Sequence, residues 1–370
     1  MRKEMFCCIL AAFLAYPVMA MDVENKETCN VDFTHTVFVE YTTATWCPYC
    51  KYAHVALKDV YDGGEYPFYY VSLIIDKNSR AYSRAVDDYN IYYIPTVFFD
   101  GGYSVYVGAD TSTADIYRNL IEESGARGVA SVTPSISATW MGNSSIKIDV
   151  VVESGEVLPY DGYVRVYVAE IVSSLGWKDT GGEPYTFAFL DFAVNEQIHI
   201  EGMQTWNKTV VWDGGEFGEL SPENIMVMAV IFNGEKHQGY TVPPDGSPFD
   251  AYYVDNAVAS VPSMDETPPQ VEITAPKGGY LYLFRKEIMN IGKTMVIGKV
   301  DIAVQAIDDA TGVAKVSFYV DGEAKSVVSS PPYQWTWDEF AIGNHEIRTV
   351  ATDMVGNEGS NSMELLIIIL

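Results

Sequence analysis

The fold is decided by residues 37–51, which read VFVEYTTATWCPYCK. Its Val- and Phe-rich beginning is typical of a buried strand, and the residues that follow Cys50, KYAHVALK at 51–58, are typical of a helix. Cys47 and Cys50 therefore lie where a helix begins, close to unpaired backbone N–H groups and the positive end of the helix dipole. Both effects favour the thiolate, which is the form of cysteine that attacks disulfides. The stretch predicts a reversible dithiol–disulfide site.

A second motif, YIPTVFFDGG, follows at 93–102. Together with the CxxC stretch, it resembles the active site of thioredoxin-fold proteins. In that family the proline is cis and lies against the dithiol, and the residue before it offers backbone groups to an extended substrate. The resemblance implies that Cys47 and Cys50 are catalytic. It also implies substrate-binding positions at Trp46, Pro48, Tyr49, Ile94 and Pro95.

The chain has 370 residues, which is too long for one ordinary domain. Residues 30–127 are predicted to follow the order β-α-β-α-β-β-α, which is that of thioredoxin, and to fold on their own. At 129–262 helical spacing gives way to alternation with regular turn signals, which predicts a β-sandwich. We therefore expect a multidomain α/β plus all-β protein. It would have an N-terminal thioredoxin-like fold, a middle β-sandwich and, at 270–370, a C-terminal immunoglobulin-like β-sandwich.

The C-terminal region resembles an immunoglobulin-like module of bacterial and archaeal cell-surface proteins. The resemblance rests on GVAKVSFYVDG at 312–322, PPYQWTWD at 331–338 and ATDMVGN at 351–357. The order of the first two predicted domains resembles that of exported proteins related to outer membrane protein 28. Four polar residues of the C-terminal region either bind calcium or form turns: Asp308, Asp309, Asp353 and Asn357. Their spacing is unlike that of an EF-hand, so turns are favoured and we predict no metal site.

The first 20 residues are typical of a secretory signal peptide, with Arg2 and Lys3 before an apolar run and a predicted cleavage site after Ala20. The alternative is an uncleaved N-terminal anchor, although the run is short for a membrane span. An exported chain meets an oxidising compartment, in which a CxxC is redox-active. We therefore expect a secreted or extracytoplasmic protein that is associated with the cell envelope or surface. After cleavage Cys29 would be left over, either as an unpaired thiol or as a third redox thiol.

Three ionisable residues flank the predicted site. Glu40 stands near the place where the thioredoxin family keeps a buried acid. If Glu40 is buried, desolvation should raise its pKa, and its carboxyl could relay a proton to the Cys50 sulfur; the alternative is a solvent-facing residue at a strand end. His54 is expected on the helix surface. Lys51 either adds positive potential near the sulfurs or is simply solvated.

These features predict an exported thiol–disulfide oxidoreductase that exchanges the Cys47–Cys50 disulfide with client protein thiols. Cys47 would attack a client disulfide or accept attack, and Cys50 would resolve the mixed disulfide, with oxidation or isomerisation favoured over reduction. The expected partners are client proteins with thiols or disulfides and an electron-transfer partner. No cofactor is expected beyond the disulfide itself. The net charge of −27 argues against nucleic acid or anionic membranes as partners.

Two other functions remain open at this point. The protein could be a cell-surface binding or adhesion protein that uses an inactive thioredoxin fold as a scaffold, with Cys47–Cys50 as a static disulfide. It could also be a peroxide-reducing enzyme that uses Cys47, in which Thr45 would match the family's threonine only loosely. The intact CxxC favours a disulfide exchanger over both.

Overall fold

The structure is a computed structural model that describes residues 32–370. The predicted signal peptide at 1–20 and the leftover Cys29 lie outside the described residues. Strands dominate the described part of the chain, and no helix in it is both long and apolar enough to cross a membrane.

The helices end where local sequence signals predict. They are α1 (Cys50–Gly63), α2 (Ser79–Ser83), which continues as a π-helical turn over Arg84–Asp88, and α3 (Thr113–Gly125). A glycine ends α1, since Gly64 has a left-handed φ of 64° and its N–H donates to the Tyr61 carbonyl at 3.0 Å. Asn78 caps α2 by accepting from the backbone N–H groups of Arg80 and Ala81.

The strands of the described chain fall into an N-terminal and a C-terminal set. The N-terminal set is β1 (Val37–Thr43), β2 (Phe68–Ile74), β3 (Thr96–Phe99), β4 (Ser104–Val107), β5 (Val132–Gly142), β6 (Ser145–Ser154), β7 (Tyr160–Val172), β8 (Thr186–Ile200), β9 (Thr205–Asp213), β10 (Ile225–Val242), β11 (Gly246–Ser260) and β12 (Ser263–Met264). The C-terminal set is β13 (Gln270–Ala275), β14 (Tyr280–Leu283), β15 (Lys286–Asn290), β16 (Met295–Ile297), β17 (Val300–Ile307), β18 (Val313–Val320), β19 (Glu323–Val328), β20 (Tyr333–Trp337), β21 (Ala341–Asp353) and β22 (Glu358–Ile369).

One mixed sheet of eight strands joins the two regions that the sequence separated, in the order β11-β10-β7-β8-β2-β1-β3-β4. β2 meets β8 in parallel at Ser72 and Ala188, and the Ser72 hydroxyl donates to the Thr186 carbonyl at 2.8 Å. The predicted N-terminal thioredoxin-like domain is therefore wrong as a distinct unit. Its strands form one half of a sheet whose other half comes from residues 160–260.

The physical reason is an apolar surface on the side of β1 and β2 that faces away from α1. Phe38, Val71 and Leu73 have no exposed surface, and they share a core cluster with Tyr167 of β7 and Phe189 of β8. Separated from β7 and β8, this surface would meet water at a cost of about 25 cal/mol per Å² of apolar area. The middle strands supply the cover.

β7 is buried on both of its faces. A second sheet, in the order β12-β5-β6-β9, packs on the face that carries Val164, Val166 and Val168. The alternation expected on β6 is confirmed, because its inward residues are buried in the same core: Ile146, Ile148, Val150 and Val152. Tyr167 points the other way, towards β1.

The C-terminal strands form two further sheets. Their orders are β13-β17-β20 and β15-β14-β16-β22-β21-β18-β19, and their shared core includes Phe318, Trp337 and Ile347. The segment between the two sets of strands, 261–269, is held on both sides. β12 pairs with β5, and the Thr311 hydroxyl donates to Asp265 Oδ2 at 2.7 Å.

Candidate functional site

Cys47 and Cys50 form a disulfide that connects the β1–α1 turn to the first residue of α1. The backbone N–H of Cys50 donates to Cys47 Sγ at 3.2 Å. Cys47 is 2% exposed and Cys50 is 0% exposed. The structure therefore shows the pair in its oxidised form, with the Cys47 sulfur at the N-terminus of a helix and close to a backbone donor.

Two tyrosines hold the backbone on either side of the disulfide. The Tyr41 hydroxyl donates to the Cys50 carbonyl at 2.6 Å, and the Tyr185 hydroxyl donates to the Ala44 carbonyl at 3.1 Å. Both hydroxyls also lie 2.8 Å from Thr43 Oγ1. Burial raises the pKa of Tyr185 to about 12 and that of Tyr41 well above its ordinary value. Both tyrosines therefore stay neutral and act as fixed donors near the sulfurs.

The second sequence motif lies against Cys47. The Ile94 carbonyl oxygen is 3.8 Å from Cys47 Sγ, and the Ile94–Pro95 peptide bond is cis. Pro95 is buried, and its carbonyl accepts from the Gly108 N–H at 2.8 Å. The structure thus brings both motifs to one place, although they are separated by more than forty residues of sequence.

Exposed aromatic side chains come from the two segments that meet at the disulfide. Trp46 and Tyr49 come from the CxxC turn, and Tyr92 and Tyr93 come from the loop before Ile94. All four side chains are more than half exposed. Pro48, which lies between Trp46 and Tyr49 in the sequence, is exposed as well. These side chains offer an apolar rim with hydrogen-bonding tips, which suits contact with another polypeptide.

The loop between β7 and β8 packs against the site, a contact that was not predicted from the sequence. Thr180 Oγ1 donates to the Cys47 carbonyl at 3.3 Å, and the buried carboxylate of Asp179 lies 2.9 Å from His54 Nδ1. His54 was expected on the helix surface, but it is only 2% exposed. The sequence offered two signals for this contact: His54 lies one helical turn after Cys50, and Gly181-Gly182 indicates a turn. Neither signal identifies Asp179 as the partner of His54.

The hydrogen bonds of His54 define its protonation. The Thr186 N–H donates to His54 Nε2 at 3.2 Å, so Nε2 is an acceptor and Nδ1 carries the proton that is donated to Asp179. Burial lowers the pKa of His54, while Asp179 acts in the opposite direction. The imidazole is therefore a neutral structural clamp between α1 and the β7–β8 loop.

Glu40 is buried, but the structure does not place it beside the disulfide. Its carboxylate accepts hydrogen bonds from Arg84 Nε and Nη2, both at 2.8 Å, and from the Tyr167 hydroxyl at 2.9 Å. It also accepts one from the Tyr89 hydroxyl. Burial alone would raise the Glu40 pKa, but the charge and hydrogen bonds of Arg84 hold it below its ordinary value. Because Tyr41 faces Cys50, its neighbour Glu40 faces the opposite side of the strand.

Lys51, the other ionisable residue flanking the sulfurs, is partly exposed. Its ammonium group lies 5.0 Å from the centre of the Tyr52 ring.

A group of carboxylates in the C-terminal region is the arrangement most able to hold a metal among the described residues. Asp265, Asp308 and Asp353 each offer an oxygen within 4.8 Å of the others. Asp308 and Asp353 also accept hydrogen bonds from the backbone of the turns that follow them. These bonds are the turn-forming role that the sequence favoured.

Part of the chain matches a known family. Residues 290–350 match the model of a bacterial immunoglobulin domain. No curated protein matches the sequence at a significant level. The match agrees with the predicted extracytoplasmic location.

Several solved structures are similar. HBP35 of Porphyromonas gingivalis shares 12% identity over 91% of this chain and 99% of that chain, with a TM-score of 0.46. A domain of the outer membrane lipoprotein Omp28 from Porphyromonas gingivalis shares 14% identity over 38% of this chain and 93% of that chain, with a TM-score of 0.23. The fibronectin(III)-like modules of Clostridium thermocellum CbhA share 25% identity over 27% of this chain and 98% of that chain, with a TM-score of 0.22. The family match by itself confirms the predicted immunoglobulin-like module, since residues 290–350 match a bacterial immunoglobulin domain.

Proposed function

We propose that the protein is an exported thiol–disulfide oxidoreductase in which Cys47 and Cys50 exchange their disulfide with client proteins. The observation that carries the proposal is the position of the Cys47 sulfur, at the start of α1 and 3.2 Å from the backbone nitrogen of Cys50. A helix N-terminus and an N–H donor stabilise negative charge. They therefore favour a Cys47 thiolate whenever the disulfide is open.

The oxidised pair can accept electrons from a client dithiol. A client thiolate attacks Cys47 Sγ, the Cys47–Cys50 bond breaks and Cys50 leaves as a thiolate. A second client thiolate then attacks the client sulfur of the mixed disulfide and releases Cys47. The client gains a disulfide, and Cys47 and Cys50 gain two electrons and, on protonation, two protons. A partner with a disulfide of its own would take these electrons and restore the Cys47–Cys50 bond.

In isomerisation, the same groups act without net electron transfer. A Cys47 thiolate attacks a client disulfide and is later displaced by another client thiol. The Ile94 carbonyl, at 3.8 Å from Cys47 Sγ, can accept a hydrogen bond from an extended client chain. The exposed rings of Trp46, Tyr49, Tyr92 and Tyr93 supply contact area beside it.

Cysteine variants test this proposal. Cys50→Ser removes the resolving thiol and should trap clients on Cys47 as mixed disulfides, visible as heavy bands on non-reducing gels of an envelope extract. Cys47→Ser is the matched control, and it should trap none. If the Cys50→Ser protein forms no mixed disulfide with any client or with a small disulfide, the proposal fails.

A second candidate is a surface-binding protein in which the disulfide is static. The burial of both cysteines, 2% and 0% exposed, favours it. Equilibration with glutathione followed by thiol alkylation separates the two functions. A pair that cycles near the poise of the glutathione buffer supports exchange, whereas a pair that stays oxidised under strong reductant supports the static disulfide.

A further inference from the structure

A groove of about 350 Å³ lies next to the disulfide. It is bounded by α1, the start of α3 and the β7–β8 loop. Its apolar lining comes from Tyr52, Val55, Ala56 and Ala114, and Val55 is 48% exposed. An apolar cleft of this size accommodates one or two amino-acid side chains of a bound peptide.

The groove is rimmed by carboxylates. Asp59, Asp110 and Glu183 line it and are exposed, and none of them is paired with a cation in the described chain. Asp179, which also lines it, is already bonded to His54. Lys51 is the basic residue that lines the groove, and three rim carboxylates outnumber it. The rim therefore carries a net negative charge.

The groove is physically connected to the disulfide. Thr180, whose hydroxyl bonds the Cys47 carbonyl, lies between the groove residues Asp179 and Gly181. Val55 lies five residues after Cys50 on α1, a rise of about 7.5 Å along the helix. An extended client chain covers that distance in about two to three residues.

From this we infer that the groove binds the client segment next to the reacting cysteine, and that it selects a segment with an apolar side chain flanked by lysine or arginine. The inference rests on the proposed disulfide exchange and adds the class of client. Valine and alanine side chains favour an aliphatic residue, and the carboxylate rim favours cations through charge complementarity. An acidic client segment would meet repulsion at Asp59 and Glu183.

Peptide kinetics test the inference with the full-length oxidised protein. The probes are two blocked peptides with one cysteine and a leucine three residues away; the leucine is flanked by two lysines in one peptide and by two glutamates in the other. The rate of mixed-disulfide formation is followed by rapid acid quench and alkylation. Each rate is divided by the rate of the same peptide with the uncharged disulfide of 2-mercaptoethanol, which corrects for the thiol pKa. After this correction, we expect the lysine peptide to react about fivefold faster than the glutamate peptide.

The matched variants carry equal charge changes. Asp59→Asn/Glu183→Gln should reduce that preference by about threefold or more, and Glu65→Gln/Glu123→Gln, outside the groove lining, should keep it. A third peptide has serine in place of the leucine of the lysine peptide. Val55→Asn, at an exposed position, should reduce the rate advantage of the leucine peptide over this serine peptide. An unchanged lysine preference in Asp59→Asn/Glu183→Gln would overturn the inference while leaving disulfide exchange intact. Failure of the oxidised protein to react with either peptide or with dithiothreitol would overturn the proposed function and the inference with it.

Discussion

Replacing Glu40 by glutamine should destabilise the fold severely while leaving the disulfide chemistry in place. The carboxylate of Glu40 accepts four hydrogen bonds, two from Arg84 and one each from Tyr89 and Tyr167. Glutamine has one acceptor oxygen, and its amide would turn an N–H donor towards donors. It also leaves the Arg84 guanidinium, whose side chain is 6% exposed, without its principal counter-charge. Removal of one partner of a buried pair costs about 3–5 kcal/mol.

Urea unfolding at pH 7, followed by tryptophan fluorescence, measures this loss. The control is Asp115→Asn, which breaks the exposed Asp115–Arg118 pair and should cost less than about 1 kcal/mol. Arg84→Met combined with Glu40→Gln removes both charges. The double variant should therefore be less destabilised than the sum of its single variants. A Glu40→Gln protein within about 1 kcal/mol of wild type would refute the buried-pair reasoning.

The pH dependence gives an independent check. The folded pKa of Glu40 is lower than the ordinary value of 4.5. Its stabilising effect is therefore complete above about 4.5 and is lost as the pH falls through the lower folded pKa. The difference in stability between wild type and Glu40→Gln should shrink across that window. At pH 7, peptide exchange by the folded variant should equal that of wild type, because Glu40 lies on the opposite side of β1 from Cys50. A lower rate would instead support the proton relay considered from the sequence.

Three further predictions follow from particular contacts. Gly101→Ala should lower the free energy of unfolding in urea by about 1–3 kcal/mol more than Gly64→Ala. Both glycines have a positive φ, but of the two only Gly101 would place a Cβ against the Tyr252 carbonyl. The wild-type protein should lose stability below about pH 6.5, because His54 takes up a proton in the unfolded state but not in the folded state, where its pKa is lowered. His54→Gln should abolish this pH-dependent loss. A chain that ends at residue 127 should be aggregation-prone by light scattering because Phe38 loses its cover, whereas one that ends at 265 keeps β7 and β8 and should not scatter.

Local patterns predicted the elements around the disulfide well. The strand before the CxxC, the start of α1 at Cys50 and its end at Gly63 all follow from signals within a few residues. The hairpin around Gly101 likewise follows from its glycines, of which Gly101 has a φ of 69°. Such features depend on backbone preference and on apolar spacing, which the sequence displays directly.

Partners that are distant in sequence could not be predicted. Phe38 and Leu73 are ordinary residues of a buried strand, and alternation does not tell whether a helix or another strand covers them. Burial of Glu40 was one of two alternatives from the sequence, and its partner Arg84 lies in a segment whose sequence shows no relation to β1. Desolvation alone therefore gave the wrong direction for its pKa, because the direction depends on the charge that is buried with it.

The same distant contacts shape the candidate site. Tyr185, Thr180 and Asp179 come from the loop between β7 and β8, yet they bind the Ala44 carbonyl, the Cys47 carbonyl and His54. The backbone that aims the Cys47 sulfur is thus held by a segment more than 130 residues away. Because β8 pairs with β2 in the shared sheet, this loop is anchored to the same framework as α1. The middle strands therefore complete the surroundings of a disulfide that lies outside them, and their β7–β8 loop supplies Asp179, Gly181 and Glu183 to the groove that we propose as the client site.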